Sequence, residues 1–294
     1  MADFFRYLVI GLGNGAIYAM IGLGLVVIYR ATGLLNFSQG EIAMFTTFIV
    51  WSFTQAGIPL WASMLLGVVA GFLIGVVLQR VIIQPFGDPH QKPLTLVIVT
   101  IGMFLGINAF AQLIWGTDTK ALDPLFGNGQ FEIFGVGIAW QKVGALAVLA
   151  VEVVVFWLIF QRTKIGLAMR SVASNSESSA LVGIPVSRVL MIGWGLAASI
   201  GAVAGTFTAV DRGVDSNLMI LTLIYALAAI TLGGFDSLVG AVVGGLIVGI
   251  VTEVVPRYVD FLAKVPLAPA FALILIVLLV RPEGLFGTKR VARV

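Results

Sequence analysis

The sequence predicts an all-α fold, a polytopic transmembrane helix bundle of about eight to ten spans. Three observations predict it. Hydrophobic residues make up 60% of the chain and charged residues only 11%, with a mean hydropathy of +1.09. Charge-free runs are long, and glycine occurs 35 times. Soluble domains carry about 25% charged residues because charge covers a water-facing surface. This chain has too little to cover a globule of 294 residues, so lipid must stand in for water around most of it.

The charge-free runs locate the spans. No Asp, Glu, Lys, Arg or His falls between Arg6 and Arg30, Glu41 and Arg80, Lys92 and Asp118, Arg188 and Asp211, or Asp215 and Asp236. A helix needs about 20 apolar residues to cross the hydrocarbon core. The Glu41–Arg80 run is long enough for two crossings, with Gln55, Gly57 and Pro59 supplying the break. The pattern marks spans near 7–29, 38–54, 60–79, 94–115, 143–160, 189–210, 217–235, 238–255 and 266–280. The fifth carries Glu152 at its middle, and the last two are short enough to be tilted or re-entrant. Met1–Tyr7 runs straight into a full-length span, so no cleavable leader is expected.

Orientation follows from the excess of Lys and Arg in cytoplasmic loops. The 161–188 loop holds Arg162, Lys164, Arg170 and Arg188 and is placed inside. Alternation from there puts Arg30, Arg80, Lys92, Arg281, Lys289, Arg290 and Arg293 inside too. Arg6, Lys120, Lys142, Arg212, Arg257 and Lys264 fall outside, beside most of the acids. The net charge of +3 is thus spread over loops and forms no nucleic-acid patch.

Two connections are long. External segment 116–142 contains Phe131-Glu132-Ile133-Phe134-Gly135-Val136-Gly137-Ile138, apolar stretches around a Gly turn that read as a small hairpin. In the 161–188 loop, Leu167, Met169, Val172, Ala173, Ala180, Leu181 and Val182 lie among Ser171, Ser174, Ser176, Ser178 and Ser179. That pattern suits short amphipathic helices pressed against another protein. Small residues mark helix contacts, since residues four apart share a face: Gly67, Gly71 and Gly75; Gly102 and Gly106; Gly201 and Gly205; Gly240 and Gly244; Gly245 and Gly249.

Several chemistries are excluded. Cysteine is absent, which removes disulfides, thiolate metal sites and thiol catalysis. No G-x-x-x-x-G-K-[S/T] loop occurs, so the chain has no P-loop for ATP. The single histidine, His90, sits in a loop beside Asp88 and Pro89, and no H-E-x-x-H or Ser/His/Asp arrangement is available. Polar residues within spans are the positive signal, because each is costly in lipid unless it faces protein or water. They are Asn14, flanked by Gly13 and Gly15; Asn36, Ser38, Gln39 and Glu41 at the start of the second span; Asn108 and Gln112, one turn apart; and Glu152. A glutamate midway along a span is expected to be buried against a partner or protonated. Glu253 lies near a span end, where snorkelling is the simpler expectation.

Four ordered motifs carry a family resemblance. Gly33-Leu34-Leu35-Asn36-Phe37-Ser38-Gln39-Gly40-Glu41 resembles the G-L-I-N-F-A-H-G-E motif of branched-chain amino-acid ABC permeases of the LivH type. Residues 162–184 are similar to that family's cytoplasmic coupling segment. Leu232-Gly233-Gly234-Phe235-Asp236-Ser237, running on to Gly240 and Gly244, is similar to its glycine-rich late motif. Arg281-Pro282-Glu283-Gly284-Leu285-Phe286-Gly287 resembles its C-terminal signature.

The resemblance implies a single transmembrane permease domain over 1–294 in the bacterial cytoplasmic membrane. It implies coupling loop 161–188 and external loop 116–142. The chain would be a non-enzymatic subunit importing branched-chain amino acids or similar small polar solutes. Its implied partners are a second, related but different permease chain, two cytoplasmic ATPase subunits that hold the ATP and Mg, and an extracytoplasmic substrate-binding protein. The implied coupling residues are Gly166, Arg170, Ala173, Asn175, Ala180, Leu181 and Gly183. The candidate pathway residues are Asn14, Asn36, Gln39, Glu41, Asn108 and Glu152. One departure bears on substrate: the family has Ala-His where this chain has Ser38-Gln39, and Gln does not titrate near neutrality. Urea, short amides and hydrophobic acids therefore stay open as alternative solutes. An ATP-independent channel or secondary transporter, and a membrane assembly protein, are the rival classes.

Overall fold

The computed structural model describes residues 2–87, 92–133 and 136–287. His90, with Asp88 and Pro89, the Phe134-Gly135 turn, and Lys289, Arg290 and Arg293 lie outside the described residues. Helices form at every predicted span: α1 Ala2–Thr32, α2 Gln39–Gln55, α3 Leu60–Leu78, α4 Pro93–Trp115, α5 Trp140–Arg162, α8 Val186–Arg212, α9 Ile220–Gly233, α10 Leu238–Tyr258 and α12 Ala268–Val280. The 161–188 loop holds α6 Lys164–Ser174 and α7 Ser176–Leu181, and α11 Asp260–Ala263 is a single turn. Among the described residues six stretches are long and apolar enough to cross a membrane: Asp3–Thr32, Leu60–Phe86, Pro93–Trp115, Trp140–Arg162, Val186–Arg212 and Leu238–Tyr258. With 17, 14 and 13 residues respectively, α2, α9 and α12 fall short of a full crossing. The external hairpin forms as expected, with β1 Gln130–Ile133 antiparallel to β2 Val136–Ala139.

The chain packs as two compact units. The first comprises residues 1–26, 126–149 and 222–294. Glycine decides its helix packing. A Cβ on Gly15 would sit 2.7 Å from the Gly245 carbonyl oxygen, and one on Gly245 would sit 2.6 Å from Ala19 N. The backbones of α1 and α10 therefore touch, as small-residue stripes permit. The neighbouring core is Tyr18, Tyr225, Ala228, Ala229, Leu232, Val248, Ala270 and Val277, with the Tyr18 and Tyr225 rings 4.8 Å apart. Two of the sequence motifs meet in this unit. Leu285 N donates to the Leu232 carbonyl (2.8 Å) and Phe286 N to that of Gly233 (2.9 Å). Gly234 and Gly284, at φ +109° and +80°, lie against one another there. The C-terminal motif thus closes the end of α9.

The second unit comprises residues 27–125 and 150–221. Its centre is α2, α3 and α8, where Gly71 and Gly75 lie against the carbonyls of Ala198 and Trp194, and Gly201 and Gly205 lie against Ala43. A buried cluster of Ile28, Ile42, Ile83, Leu96, Met103, Trp194, Ala197 and Ala198 fills it. At one end Phe48 stacks on Trp115 with centroids 5.0 Å apart, while Trp115 Nε1 donates to Ser52 Oγ at 2.8 Å. The Gly102 and Gly106 pair departs from expectation. A Cβ at either position meets nothing within 4 Å among the described residues. Its stripe lies on the outer face of α4, where Leu94, Ile98, Ile101, Leu105 and Leu113 are also exposed.

Candidate functional site

The polar side chains singled out within the spans fall into three groups. The largest lies in the second unit, at the start of α2. Ser38 donates through both N and Oγ to Asn36 Oδ1 (3.1 and 2.7 Å), forming a turn that leads into the helix. Gln39 Nε2 donates to the Ala197 carbonyl at 2.8 Å, tying α2 to α8. Two residues on, Glu41 Oε2 accepts from Asn108 Nδ2 at 3.0 Å, and the same nitrogen lies 2.7 Å from the Ser216 carbonyl. Gln112 Nε2 donates to Asn108 Oδ1 at 2.6 Å. The one-turn spacing of Asn108 and Gln112 thus builds a ribbon of two amides ending on the buried Glu41 carboxylate, while Asn36 and Gln39, also buried, bond separately to Ser38 and Ala197.

The start of α2 is incompletely satisfied. Asn36 Nδ2 and Gln39 Oε1 are buried and have no hydrogen-bond partner among the described residues, and the same holds for Trp194 Nε1. Asn36 and Trp194 also line a small cleft walled by Ile28, Leu35, Leu96 and Thr100. Buried polar atoms without partners are uncommon in folded proteins.

Glu152 stands apart from this ribbon. It is half-buried on α5 between exposed Val151 and Val154, and its Oε2 is buried without a partner among the described residues.

Asn14 belongs to the first unit and has partners that the sequence left unassigned. Its Nδ2 donates to Glu253 Oε1 at 2.8 Å, and Lys142 Nζ donates to its Oδ1 at 2.7 Å. Glu253 therefore turns inward to an amide rather than snorkelling. Lys142, expected in the external loop, lies in the first turn of α5. Gly13 makes room for it, since a Cβ there would meet the Lys142 stem at 2.7 Å. The signal available in sequence was the Gly-Asn-Gly run, which leaves α1 open around one polar group.

The predicted coupling segment is a built structure. Thr163 caps α6 by accepting from Gly166 N at 3.1 Å. Gly166 allows α6 to fold back on α5, because a Cβ there would overlap the carbonyls of Ile159 and Phe160. Met169 and Val172 form the buried face of α6, Ala173 is half-buried beside them, and Arg170 Nη1 donates to Gln161 Oε1 at 2.9 Å. Asn175 caps α7, accepting from Ser178 N at 2.8 Å. Gly183, at φ +87°, ends α7: its N donates to the Ala180 carbonyl and Ile184 N donates to that of Ser179, both at 3.0 Å. This is the two-bond stop that a left-handed glycine provides, and Pro185 then precedes α8. Ala180, Leu181, Val182 and Gly183 are left exposed, Leu181 at 88% and Val182 at 76%.

Long apolar helices, buried clusters of polar side chains and a capped helical segment between α5 and α8 fit a multi-pass membrane protein of the permease class. Comparison with known proteins narrows this further. Residues 7–280 match the family described as the permease component of the branched-chain amino acid transport system, and the chain belongs to that family. It is similar to the high-affinity branched-chain amino acid transport system permease protein LivH of Escherichia coli K12, with 29% identity covering 97% of this chain and 96% of that protein. BraD of Pseudomonas aeruginosa, named likewise as a high-affinity branched-chain amino acid permease protein, is 28% identical over the whole of both chains. Among solved structures, PsaBC from Streptococcus pneumoniae in complex with Fab has the same fold at a TM-score of 0.50, with 12% identity and 96% of each chain covered.

Proposed function

We propose that this chain is the membrane-spanning subunit of an ABC importer. It moves branched-chain amino acids or similar small polar solutes inward across a bacterial cytoplasmic membrane. It has no nucleotide site of its own; ATP and Mg are held by two cytoplasmic ATPase subunits. A second, related permease chain completes the pathway, and an extracytoplasmic binding protein delivers the solute.

The observation that carries this reading is the α6–α7 pair. Two capped helices joined at Asn175 and stopped at Gly183 make a stiff lever, and its tip, Ala180–Gly183, offers apolar surface with nothing over it. Exposed leucine and valine on a loop otherwise rich in serine fit a socket on another protein. Motion of that partner is passed directly into α8, whose first turn follows Pro185. In the transport step, the buried amides of Asn36, Gln39 and Asn108, with Glu41, line the wall that the solute passes. They bind it weakly, and selectivity rests with the delivery protein.

The test is co-reconstitution of the chain with its neighbouring permease, ATPases and binding protein in proteoliposomes. Wild type is expected to hydrolyse ATP in response to loaded binding protein and to accumulate leucine. Gly183→Trp and Arg170→Glu are expected to keep the assembly but lose this response. Solute movement by the chain without ATPases would overturn the importer reading in favour of a channel or secondary transporter.

A further inference from the structure

We infer that the Asn14–Lys142–Glu253 cluster of the first unit is a recognition point for a zwitterion, a solute carrying an ammonium and a carboxylate on neighbouring atoms. This deepens the importer reading and rests on it.

The three side chains come from three different membrane helices, α1, α5 and α10, and converge on one amide. Asn14 occupies the centre, accepting from the Lys142 ammonium at 2.7 Å and donating to the Glu253 carboxylate at 2.8 Å. All three side chains are half-buried. Charged groups in a membrane span face protein or water, because lipid contact is costly. A half-buried cation and anion on membrane helices therefore call for water or protein beside them.

The place in the fold agrees. The guanidinium of Arg257 lies 4.5 Å from the centre of the Tyr7 ring, and Phe4 and Tyr258 are in contact at 6.4 Å. These pairs set the start of α1 beside the end of α10, and Lys142, in the first turn of α5, reaches Asn14. Asn14 lies seven residues beyond Tyr7, roughly 10 Å along the helix. The distribution of Lys and Arg puts this end outside the cell, on the side from which a delivered solute arrives.

The chemistry then selects the ligand class. The hydrogen bonds centred on Asn14 join one cation, one anion and a bridging amide. A net-charged solute entering it would leave one protein charge unbalanced in a poorly solvated place. A zwitterion does not. Its carboxylate takes the Lys142 ammonium and its ammonium takes the Glu253 carboxylate, so both charge-assisted contacts are exchanged for equivalent ones. The Asn14 amide, which bridges the two charges in the unliganded state, is released and becomes a neutral partner for either end of the solute. No covalent step is involved. The binding that results is weak, because the solute must displace contacts that already exist, and weak binding is what passage requires.

The test uses the assembled permease pair with its ATPases in nanodiscs, without binding protein, so that the permease is read alone. Saturation-transfer NMR measures binding of leucine, of 4-methylpentanoate (which lacks the ammonium) and of leucinamide (which lacks the carboxylate). Wild type is expected to bind leucine more tightly than either analogue. Glu253→Gln is expected to weaken leucine on the order of tenfold while leaving 4-methylpentanoate unchanged, and Lys142→Gln to weaken leucine by a similar factor while leaving leucinamide unchanged. Should the single variants fail to assemble, the exchange of Lys142→Glu with Glu253→Lys keeps one cation and one anion and is expected to bind leucine. A purely structural latch would instead lower the unfolding temperature and weaken all three compounds equally, which overturns the inference. ATP-driven leucine uptake with an unchanged KM in both variants overturns it too, while leaving the importer reading intact. Absence of ATP-driven uptake in wild type removes the importer reading itself.

Discussion

Substituting the glycines of α3 and α4 with alanine separates helix contact from helix surface within one unit. A Cβ on Gly71 would lie 2.8 Å from the Ala198 carbonyl oxygen and 3.2 Å from its carbon. On Gly75 the added atom would overlap the Trp194 carbonyl and come within 2.9 Å of Gly195 Cα. Every one of those obstacles is backbone of α8, so no side chain can rotate away, and α3 must retreat. Side chain–backbone contacts closer than about 3.2 Å are repulsive. Gly71→Ala therefore needs a few tenths of an ångström and Gly75→Ala a larger shift. Overpacking of this kind costs about 1–3 kcal/mol, with Gly75→Ala at the upper end and Gly71→Ala at the lower. At Gly102 and Gly106 the added methyl meets nothing within 4 Å. There the helix gains the propensity advantage of Ala over Gly, up to about 1 kcal/mol. The assay is thermal or denaturant unfolding of the purified chain in lipid nanodiscs. The expected order of stability is Gly102→Ala and Gly106→Ala at or above wild type, then Gly71→Ala, then Gly75→Ala. Equal losses in all four variants would refute the assignment of α3, rather than α4, to the close contact with α8.

Other consequences are checked more simply. Asn108→Ala leaves Glu41 without its amide partner and is expected to cost about 1–3 kcal/mol; Asn108→Asp, which sets a second carboxylate against Glu41 at hydrogen-bond range, should cost more and reduce uptake further, measured by unfolding and transport in parallel. Asn175→Ala removes the cap of α7 and is expected to destabilise that helix by about 1 kcal/mol, seen as faster hydrogen exchange over 176–181 with the exchange of α8 unchanged. Gly183→Ala places a Cβ at φ +87° with open space around it, so strain alone acts; a loss of about 1 kcal/mol is expected, and Gly183→Asn should recover part of it. Glu152→Gln keeps the shape and a polar head and should preserve expression and assembly, whereas Glu152→Lys should lower yield sharply, both read by fluorescence-detected size exclusion.

Much of this architecture was legible in the sequence because the membrane imposes a simple rule. A span must be apolar for about 20 residues and satisfy its own backbone, so the charge-free runs located α1, α3, α4 and α8 directly. The loop helices were legible for a different reason: Thr163, Asn175, Gly183 and Pro185 are local cap and stop residues whose effect is contained within a few positions. The one-turn spacing of Asn108 and Gln112 fixed a shared face, and the fold set that face against Glu41. Glycine spacing was only half informative. A stripe of small residues says that a backbone can come close, and Gly71 and Gly75 have such a neighbour, whereas Gly67 meets the Val50 side chain and Gly102 and Gly106 meet nothing among the described residues. Nothing in the spacing distinguishes the two, because the smoothness of one helix is independent of what faces it.

The Asn14 cluster exposes a deeper limit. Charges at the ends of spans were read as interfacial because Lys and Glu have long, flexible stems that reach water from a helix terminus. The same stems reach inward equally well, and what decides between the two is whether a polar partner and room are waiting. Both were provided by α1: the amide of Asn14 supplies the partner, and Gly13, with no side chain, supplies the room for the Lys142 stem. These determinants lie more than a hundred residues from the charges they capture, so no window on the sequence contains both. The contact is set by the approach of α1 to α10, which depends on Gly15, Gly245 and Gly249. Widening that approach with Gly245→Leu should therefore part Glu253 from Asn14 without touching either residue. If the variant keeps the cluster's preference for leucine over leucinamide, the glycine contact does not set the cluster's geometry.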